Sequence, residues 1–183
     1  MRSALPLLLL SACAAPAPNV LFTSFGRANP AGDAAIVETW EDDRAILLRN
    51  ANNPDAKVTL KNGREVTMRE FAKKRVEATR NVEVLVDTVP QGMDLSDRGA
   101  AVKDGSGLEL IGRFTLRYTS KVPLHRALDD VKVLTQAAGG NLAVVSWLRA
   151  SQTETAGVVG FALNATEGAV DKKDLKSGRI NEL

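Results

Sequence analysis

The fold class is decided by the stretch Leu108-Glu109-Leu110-Ile111-Gly112-Arg113-Phe114-Thr115-Leu116-Arg117-Tyr118. Its even-numbered positions are apolar or glycine and its odd-numbered positions are mainly polar, a period of two that predicts a half-buried strand. Pro123 then suits the first turn of a helix. An apolar stripe at helical spacing follows, and Gly139-Gly140 stops it, as glycine commonly does. The stripe consists of Leu124, Ala127, Leu128, Val131, Leu134, Thr135 and Ala138.

Two apolar runs after this helix, residues 141–149 and 156–163, are short and rich in β-branched residues, so we expect both to be strands. From residue 107 onward the order is therefore strand, helix, strand, strand. A helix on one face of a mainly antiparallel sheet is the α+β arrangement. We predict an α+β fold with two helices and a C-terminal β-α-β-β unit.

The other of the two helices is expected earlier in the chain and is therefore the first helix in chain order. Thr67-Met68-Arg69-Glu70 matches a capping box, in which the Thr hydroxyl and the Glu carboxylate accept hydrogen bonds from free amides, and it predicts a helix from Met68 to about Thr79. Asn62-Gly63 tolerates the positive φ angles of a tight turn, so residues 57–61 and 64–67 are predicted to form a hairpin.

The remaining early segments are assigned by composition. Residues 36–40 and 45–49 are apolar runs on either side of Glu41-Asp42-Asp43, which predicts a further hairpin. Residues 81–89 are expected to be strand. Residues 93–106, rich in Asp and Gly, are expected to be a long exposed loop.

The N-terminus has the order of a secretion signal. One positive charge, a short apolar stretch and two small residues precede Cys13, the only cysteine of the chain. The apolar stretch Ala4–Leu10 is too short to span a bilayer, which takes about 20 residues. The alternative is a soluble protein whose apolar N-terminus packs into its own core.

The run Leu10-Ser11-Ala12-Cys13 resembles a bacterial lipobox. The resemblance implies cleavage before Cys13 and acylation of its thiol, with palmitate among the acyl chains, so that the domain is anchored to the cell membrane and faces the periplasm. An aspartate after the cysteine tends to retain lipoproteins in the inner membrane. Ala14 stands there instead, which favours the outer membrane.

These features divide the chain into segments. Residues 1–12 are the expected signal peptide and residues 13–34 a membrane tether, in which Val20-Leu21-Phe22 is a candidate docking segment. Residues 35–165 are the expected single α+β domain, with 35–90 and 107–165 as candidate sub-units. Residues 166–183 are an expected polar tail.

The amino-acid composition limits the kinds of partner and site that we expect. The 24 basic and 22 acidic residues nearly balance, which argues against a dedicated nucleic-acid binder. With one cysteine no disulfide can form within the chain. The single histidine excludes most multi-histidine metal sites, and we expect neither a metal nor a cofactor.

The C-terminal unit resembles the small α+β domains of bacterial lipoproteins of the RcsF type and of the YbjQ-like family. The features that carry the resemblance are the helix 124–138, then Gly139-Gly140-Asn141-Leu142-Ala143-Val144-Val145, and finally Val159-Gly160-Phe161-Ala162-Leu163-Asn164. The resemblance covers residues 107–164 and implies a role in sensing envelope stress. RcsF-type sensors form disulfides in this domain, whereas this chain has no cysteine after Cys13.

Two sets of polar residues are candidate sites. His125 and Asp129 lie four residues apart and share a helix face, so Asp129 could orient the imidazole for base catalysis; a plain surface pair is the favoured interpretation. The second set is basic and lies on and beside the first helix, where it could meet anionic lipid or cell-wall polymer. Its candidate binding residues are Arg69, Lys73, Lys74 and Arg80, with Arg64 and Arg75 nearby.

The remaining motifs are weaker evidence for a functional site. Glu41-Asp42-Asp43 lacks the spaced pattern of a calcium loop and is interpreted as a solvated turn. Gly105-Ser106-Gly107 is too short to cradle a phosphate. Trp40 and Trp147 lie within apolar runs and are expected in the core.

The leading hypothesis is a membrane-anchored envelope lipoprotein with a non-enzymatic binding or structural role. Its partners would be the membrane, through lipidated Cys13, and another envelope protein or cell-wall polymer, but not nucleic acid. The alternatives are a stress-sensing lipoprotein and a periplasmic hydrolase that uses His125 and Asp129.

Overall fold

The fold was analysed in a computed structural model. It describes residues 18–25, 32–34, 36–37, 53, 55–59, 65–70, 73, 80–96, 99–150 and 153–178, and for residues 58 and 147–150 the backbone only. The expected signal peptide, Cys13, Trp40, the Glu41-Asp42-Asp43 turn and Lys74 lie outside these residues.

The chain is α+β, as predicted, with a mainly antiparallel sheet. The strands are β1 (Asn19–Ser24), β2 (Lys57–Thr59), β3 (Glu65–Thr67), β4 (Glu83–Val86), β5 (Thr88–Val89), β6 (Met93–Ser96), β7 (Gly99–Val102), β8 (Leu108–Pro123), β9 (Leu142–Ala150), β10 (Glu154–Ala165) and β11 (Lys176–Ser177). The long helix is α1 (Leu124–Ala137). Residues 32–34, 36–37, 68–70, 73 and 80–81 are also helical.

The main sheet has five strands in the order β1-β8-β10-β9-β4. Its pairs are antiparallel except for β4 and β9, which run parallel. Three two-stranded pairs accompany it, β2 with β3, β5 with β11, and β6 with β7. The β-α-β-β unit predicted from residue 107 onward is thus present as β8, α1, β9 and β10.

Helix α1 ends as its glycines predict. Gly139 takes a φ of 85°, which a residue without a Cβ adopts at no steric cost. Its N–H donates to the Gln136 carbonyl at 2.9 Å, and the Gly140 N–H donates to the Thr135 carbonyl at 2.8 Å. These two bonds form a Schellman motif, which satisfies carbonyls that the last turn would leave free.

The capping box is also confirmed. The Thr67 N–H donates to Glu70 Oε2 at 2.9 Å, and the Glu70 N–H donates to Thr67 Oγ1 at 3.2 Å. Met68, the first residue of that helix, is buried. Reciprocal bonding of this kind fixes where a helix begins.

Two one-residue bulges shift the alternation within the sheet. Ala162 pairs with Gly112, but the next residue of β10, Leu163, pairs with Leu110, so Ile111 has no partner on β10. A second shift in the β9–β10 register leaves Ser146 without one. Because side chains alternate along a strand, one extra residue moves all following side chains to the other face.

The two faces of the main sheet therefore have separate cores. The helix face packs on α1, and Ile36 joins it; its buried strand residues include Phe22, Phe114, Leu116, Tyr118, Val145, Val158 and Ala162. The hairpin face, opposite to it, packs on Met93 of β6 and on Val89; its strand residues are Leu85, Leu108, Leu142, Val144, Phe161 and Leu163. Leu108 and Leu110 were expected on the same face as Phe114, and the bulge at Ile111 places them on the other one.

The segment expected to be a tether, residues 13–34, includes a strand of the main sheet. In β1, Val20 lies opposite Leu116 and Phe22 opposite Phe114, and both side chains are buried. This short alternation is enough to add an edge strand once β8 provides a partner. The described fold therefore begins by residue 18, ahead of the expected domain boundary at residue 35.

Three further expectations are corrected. Residues 93–96 and 99–102 pair as the β6–β7 hairpin instead of forming an exposed loop, because Met93 is fully buried beneath the sheet. Ile36 and Val37 are helical, although their branched side chains favour strands, because burial outweighs that propensity. The polar tail pairs with the domain through Lys176–Ser177, which adds β11 to β5.

Candidate functional site

A groove of about 880 Å³ lies between α1 and the start of β4; we call it the α1–β4 groove. Four segments line it: the approach to β4, one face of α1, the start of β9 and the chain after β10. Its lining residues with polar side chains are Arg80, Asn81, Glu83, His125, Asp129, Lys132, Asn141, Thr166 and Lys172. The groove is therefore polar and carries both signs of charge.

Helix α1 provides one wall. His125, Leu128, Asp129 and Lys132 follow one another at spacings of three and four residues, so they share one helix face. The neighbouring face holds Ala127, Asp130, Val131, Leu134 and Thr135, which are buried against the sheet. Because burial of that face fixes the rotation of α1, the first set is directed into the groove.

Asn141 provides a fixed point at the opposite wall. Its Nδ2 donates to the Ala165 carbonyl at 2.8 Å, and its Oδ1 accepts from the Ala165 N–H at 2.8 Å. The side chain thus acts like one more residue of a strand beside the end of β10. Next to it, the Thr166 N–H donates to the Gly107 carbonyl at 2.9 Å. These bonds hold the chain where it turns into the groove wall.

Two of the lining residues, Lys172 and Glu83, form an ion pair. Lys172 Nζ lies 3.1 Å from Glu83 Oε1; the Lys172 side chain is largely open to solvent and that of Glu83 is half-buried. Exposed pairs contribute about 0–1 kcal/mol because water screens them. A polar ligand could therefore displace Lys172 from Glu83 at small cost.

The residues expected to form the first candidate site lie together. His125 and Asp129 both line the α1–β4 groove, His125 with an exposed side chain and Asp129 with a half-buried one. Leu128 lines the groove between them. The pair therefore lies in a concave site and not on an open helix face.

The residues of the second candidate site are spread out. Arg80 is exposed and lines the α1–β4 groove. Arg69 lies outside the groove lining, where its Nη2 contacts Asp55 Oδ1 at 3.1 Å. Lys73 is exposed, and Lys74 is outside the described residues. Of the described residues of this set, only Arg80 lines the groove.

Sequence reasoning missed most of the polar residues that line the groove. Glu83, Asn141, Thr166 and Lys172 come from distant positions along the chain, and no local pattern marks any of them as a site residue. The parallel pairing of β4 with β9 places Glu83 opposite Leu142 and so beside Asn141. That pairing joins segments nearly 60 residues apart, which no local pattern signals.

A buried polar pair lies behind the groove wall. The Tyr118 hydroxyl donates to Asp130 Oδ2 at 2.9 Å, and both residues are buried. Asp130 is on α1 next to the groove residue Asp129, while Tyr118 is on β8. The pair therefore ties the helix to the centre of the sheet.

Within the described ranges, no helix has both the length and the apolar composition needed to cross a bilayer. Comparison of the chain with protein-family models, curated proteins and solved structures found no match.

Proposed function

We propose that this chain is a bacterial envelope lipoprotein whose folded domain binds another envelope component in the α1–β4 groove. The anchor part of the proposal is carried by Leu10-Ser11-Ala12-Cys13, which has the order of a lipobox. The binding part is carried by the groove, where a concave surface and convergent polar groups coincide.

The chemistry of the groove favours a polar partner of mixed charge. Arg80, Lys132 and Lys172 are cationic, and Glu83 and Asp129 are anionic. Asn81 and His125 add further hydrogen-bonding groups. A cell-wall polymer with peptide carboxylates and amines offers the complementary set, as does a polar segment of another envelope protein.

The hydrolase alternative is favoured by one observation, that His125 and Asp129 lie in the same groove. Such an enzyme would use His125 as a general base on a water molecule, oriented by Asp129. The hydroxyl that lines the groove, on Thr166, lies 3.2 Å from the Gly107 carbonyl oxygen and is directed to the backbone. Among the described lining residues this hydroxyl is thus engaged, so a hydrolase at this site would depend on water as its nucleophile.

The stress-sensor alternative rests on the family resemblance. Acylation of Cys13 would consume the one thiol of the chain, so such a sensor would have to signal without disulfide exchange. Deletion of the protein in cells that carry an envelope-stress reporter tests it. An unchanged reporter response would remove this alternative.

Radiolabelled palmitate tests the anchor. We expect label in the wild type and none in Cys13→Ala. Equal labelling of the two would refute acylation at Cys13.

Cosedimentation with purified cell-wall sacculi tests the groove. We expect the wild type to sediment with sacculi and the double variant Glu83→Gln/Asp129→Asn to bind severalfold more weakly. The matched control is Glu109→Gln, which removes an exposed carboxylate outside the groove lining and should bind like the wild type. Equal binding by both variants would exclude the groove as the polymer site.

A further inference from the structure

Among the described residues, the hydrophobic cluster on the hairpin face lies toward one end of the main sheet. Toward Leu108 and Leu163 it packs on β6, and Phe25 stacks on Phe161 with ring centroids 6.3 Å apart. Beyond Phe161, at the start of β1, Leu21 is 60% exposed. Among the described residues it is the one large hydrophobic side chain with such exposure.

Two arginines flank Leu21 on this face. In the register between β1 and β8, Leu21 lies opposite Thr115, Thr23 opposite Arg113 and Asn19 opposite Arg117. Directly opposite residues and residues two apart on a strand share a face, so these six side chains form one surface. We call it the β1 face.

Within the described residues, the charged side chains of the β1 face are all cationic. Arg113 and Arg117 are both exposed, and within the part of the chain that the structure describes neither forms an ion pair. Their neighbours on β1 are Asn19, Leu21 and Thr23, none of which is charged. Two free guanidinium groups around an exposed leucine form a surface complementary to anionic headgroups over an apolar layer.

The length of the tether brings this surface to the bilayer. Pro18 is already buried in the fold, and five residue steps separate it from Cys13. An extended chain covers at most about 3.6 Å per step, so Pro18 stays within about 18 Å of an acylated Cys13. The start of β1 is thus held within one strand length of the membrane surface.

We propose that the β1 face docks on anionic lipid, with Leu21 among the headgroups and Arg113 and Arg117 against phosphate. The proposal rests on the lipidation of Cys13 in the proposed function, because two cations alone bind weakly. Each cation near an anionic surface strengthens binding about fivefold. The tether raises the effective concentration of lipid at the face, so this modest attraction is enough to orient the domain.

Docking by the β1 face would direct the α1–β4 groove away from the membrane. Asn19 on β1 is level with Arg117 on β8 and Gly157 on β10. Glu83 on β4 is level with Leu142 on β9 and Leu163 on β10. These two corners are roughly 20 Å apart along the strands and roughly 19 Å apart across the sheet. The start of β1 and the groove therefore occupy diagonally opposite corners of the sheet, which would leave the groove open to a partner in the periplasm.

Arginine footprinting on vesicles tests the orientation. The mature chain, beginning at Cys13, is coupled through this single thiol to maleimide lipid, in vesicles of phosphatidylcholine alone or with phosphatidylglycerol added. Phenylglyoxal modification of each arginine is then followed by mass spectrometry. Because the attachment is made chemically, the result does not depend on whether cells acylate Cys13, which palmitate labelling decides separately.

We expect modification of Arg113 and Arg117 to slow severalfold when phosphatidylglycerol is present. Arg126, exposed on α1 behind the other face of the sheet, is the internal control and should react equally on both vesicles. Leu21→Ser should reduce the protection, and Arg126→Gln should leave it unchanged. Unprotected Arg113 and Arg117, equal protection of all arginines, or selective protection of Arg69 and Arg80 would each overturn the proposal.

Discussion

The hydroxyl of Tyr118 donates a hydrogen bond of 2.9 Å to Asp130 Oδ2, joining the middle of β8 to the buried face of α1. Asp130 is 2% exposed, so its carboxylate depends on protein groups for hydrogen bonds. The residue before it, Asp129, lines the α1–β4 groove. The position of the groove wall therefore depends on how firmly α1 is held at this pair.

Removal of the Tyr118 hydroxyl should destabilise the domain. We expect Tyr118→Phe to lower the free energy of unfolding by about 1–3 kcal/mol, because Asp130 loses a buried donor while the ring stays in place. Urea denaturation measures the change. Thr119→Val, which removes an exposed hydroxyl from the next residue of β8, is the control and should change stability by less than about 0.5 kcal/mol. Equal stability of Tyr118→Phe and the wild type would show that the bond contributes nothing.

Two buried threonines should respond in opposite ways to the same substitution. Thr135 Oγ1 is buried and has no hydrogen-bond partner among the residues that the structure describes, whereas Thr155 Oγ1 donates to the Gly157 carbonyl at 2.8 Å and accepts from the Gly157 N–H at 3.1 Å. We expect Thr135→Val to be neutral or stabilising by up to about 1 kcal/mol and Thr155→Val to destabilise by about 1–3 kcal/mol. Thermal unfolding of the pair checks the prediction, which a clear loss of stability in Thr135→Val would contradict.

The side chain of Asn141 should hold the end of β10. Asn141→Ala removes both bonds to Ala165, and we expect a loss of about 1 kcal/mol together with faster exchange of the Ala165 amide hydrogen. Asn164→Ala is the matched control, because no side-chain hydrogen bond of Asn164 contributes to this clamp. Hydrogen exchange by NMR measures both variants. Unchanged protection at Ala165 in Asn141→Ala would mean that the main-chain ladder alone holds the strand end.

Gly160 should tolerate no side chain. A Cβ at this position would collide with the Val144 carbonyl oxygen and would lie 2.7 Å from Phe114 Cζ, in the middle of the sheet. We expect Gly160→Ala to destabilise the domain by about 1–3 kcal/mol or more through overpacking. Ala156→Gly on the same strand is the comparison, since its half-buried methyl group contributes little. A wild-type urea midpoint for Gly160→Ala would contradict the packing described for this strand.

Features that depend on interactions between residues close in sequence were predicted from the sequence. The strand at residues 108–118, the stripe on α1, its glycine stop and the Thr67–Glu70 capping box each involve residues within a few positions of one another, and each is present. The bulges at Ile111 and Ser146 could not be read from the sequence, because a single inserted residue leaves the apolar alternation of the strand unchanged. Their effect, the transfer of Leu108 and Leu110 to the hairpin face, becomes visible only in the pairing with β10.

The candidate site was predictable in part for the same reason. His125 and Asp129 were found because they share one turn of helix spacing. Glu83, Asn141 and Lys172 join them only through the parallel pairing of β4 with β9 and the return of the chain after β10. Strand β1 escaped prediction because Pro16 and Pro18 lie just before it and a stretch with Gly26, Pro30 and Gly32 follows.

The central claim is that Cys13 becomes the acylated first residue of the mature protein, and the intact mass of the protein purified from bacterial membranes tests it most directly. We predict a mass that lacks residues 1–12 and exceeds that of the remaining chain by acyl groups lost on ester hydrolysis, while Cys13→Ala retains residues 1–12. An unmodified chain, or one that keeps its first twelve residues in the wild type, would contradict the claim.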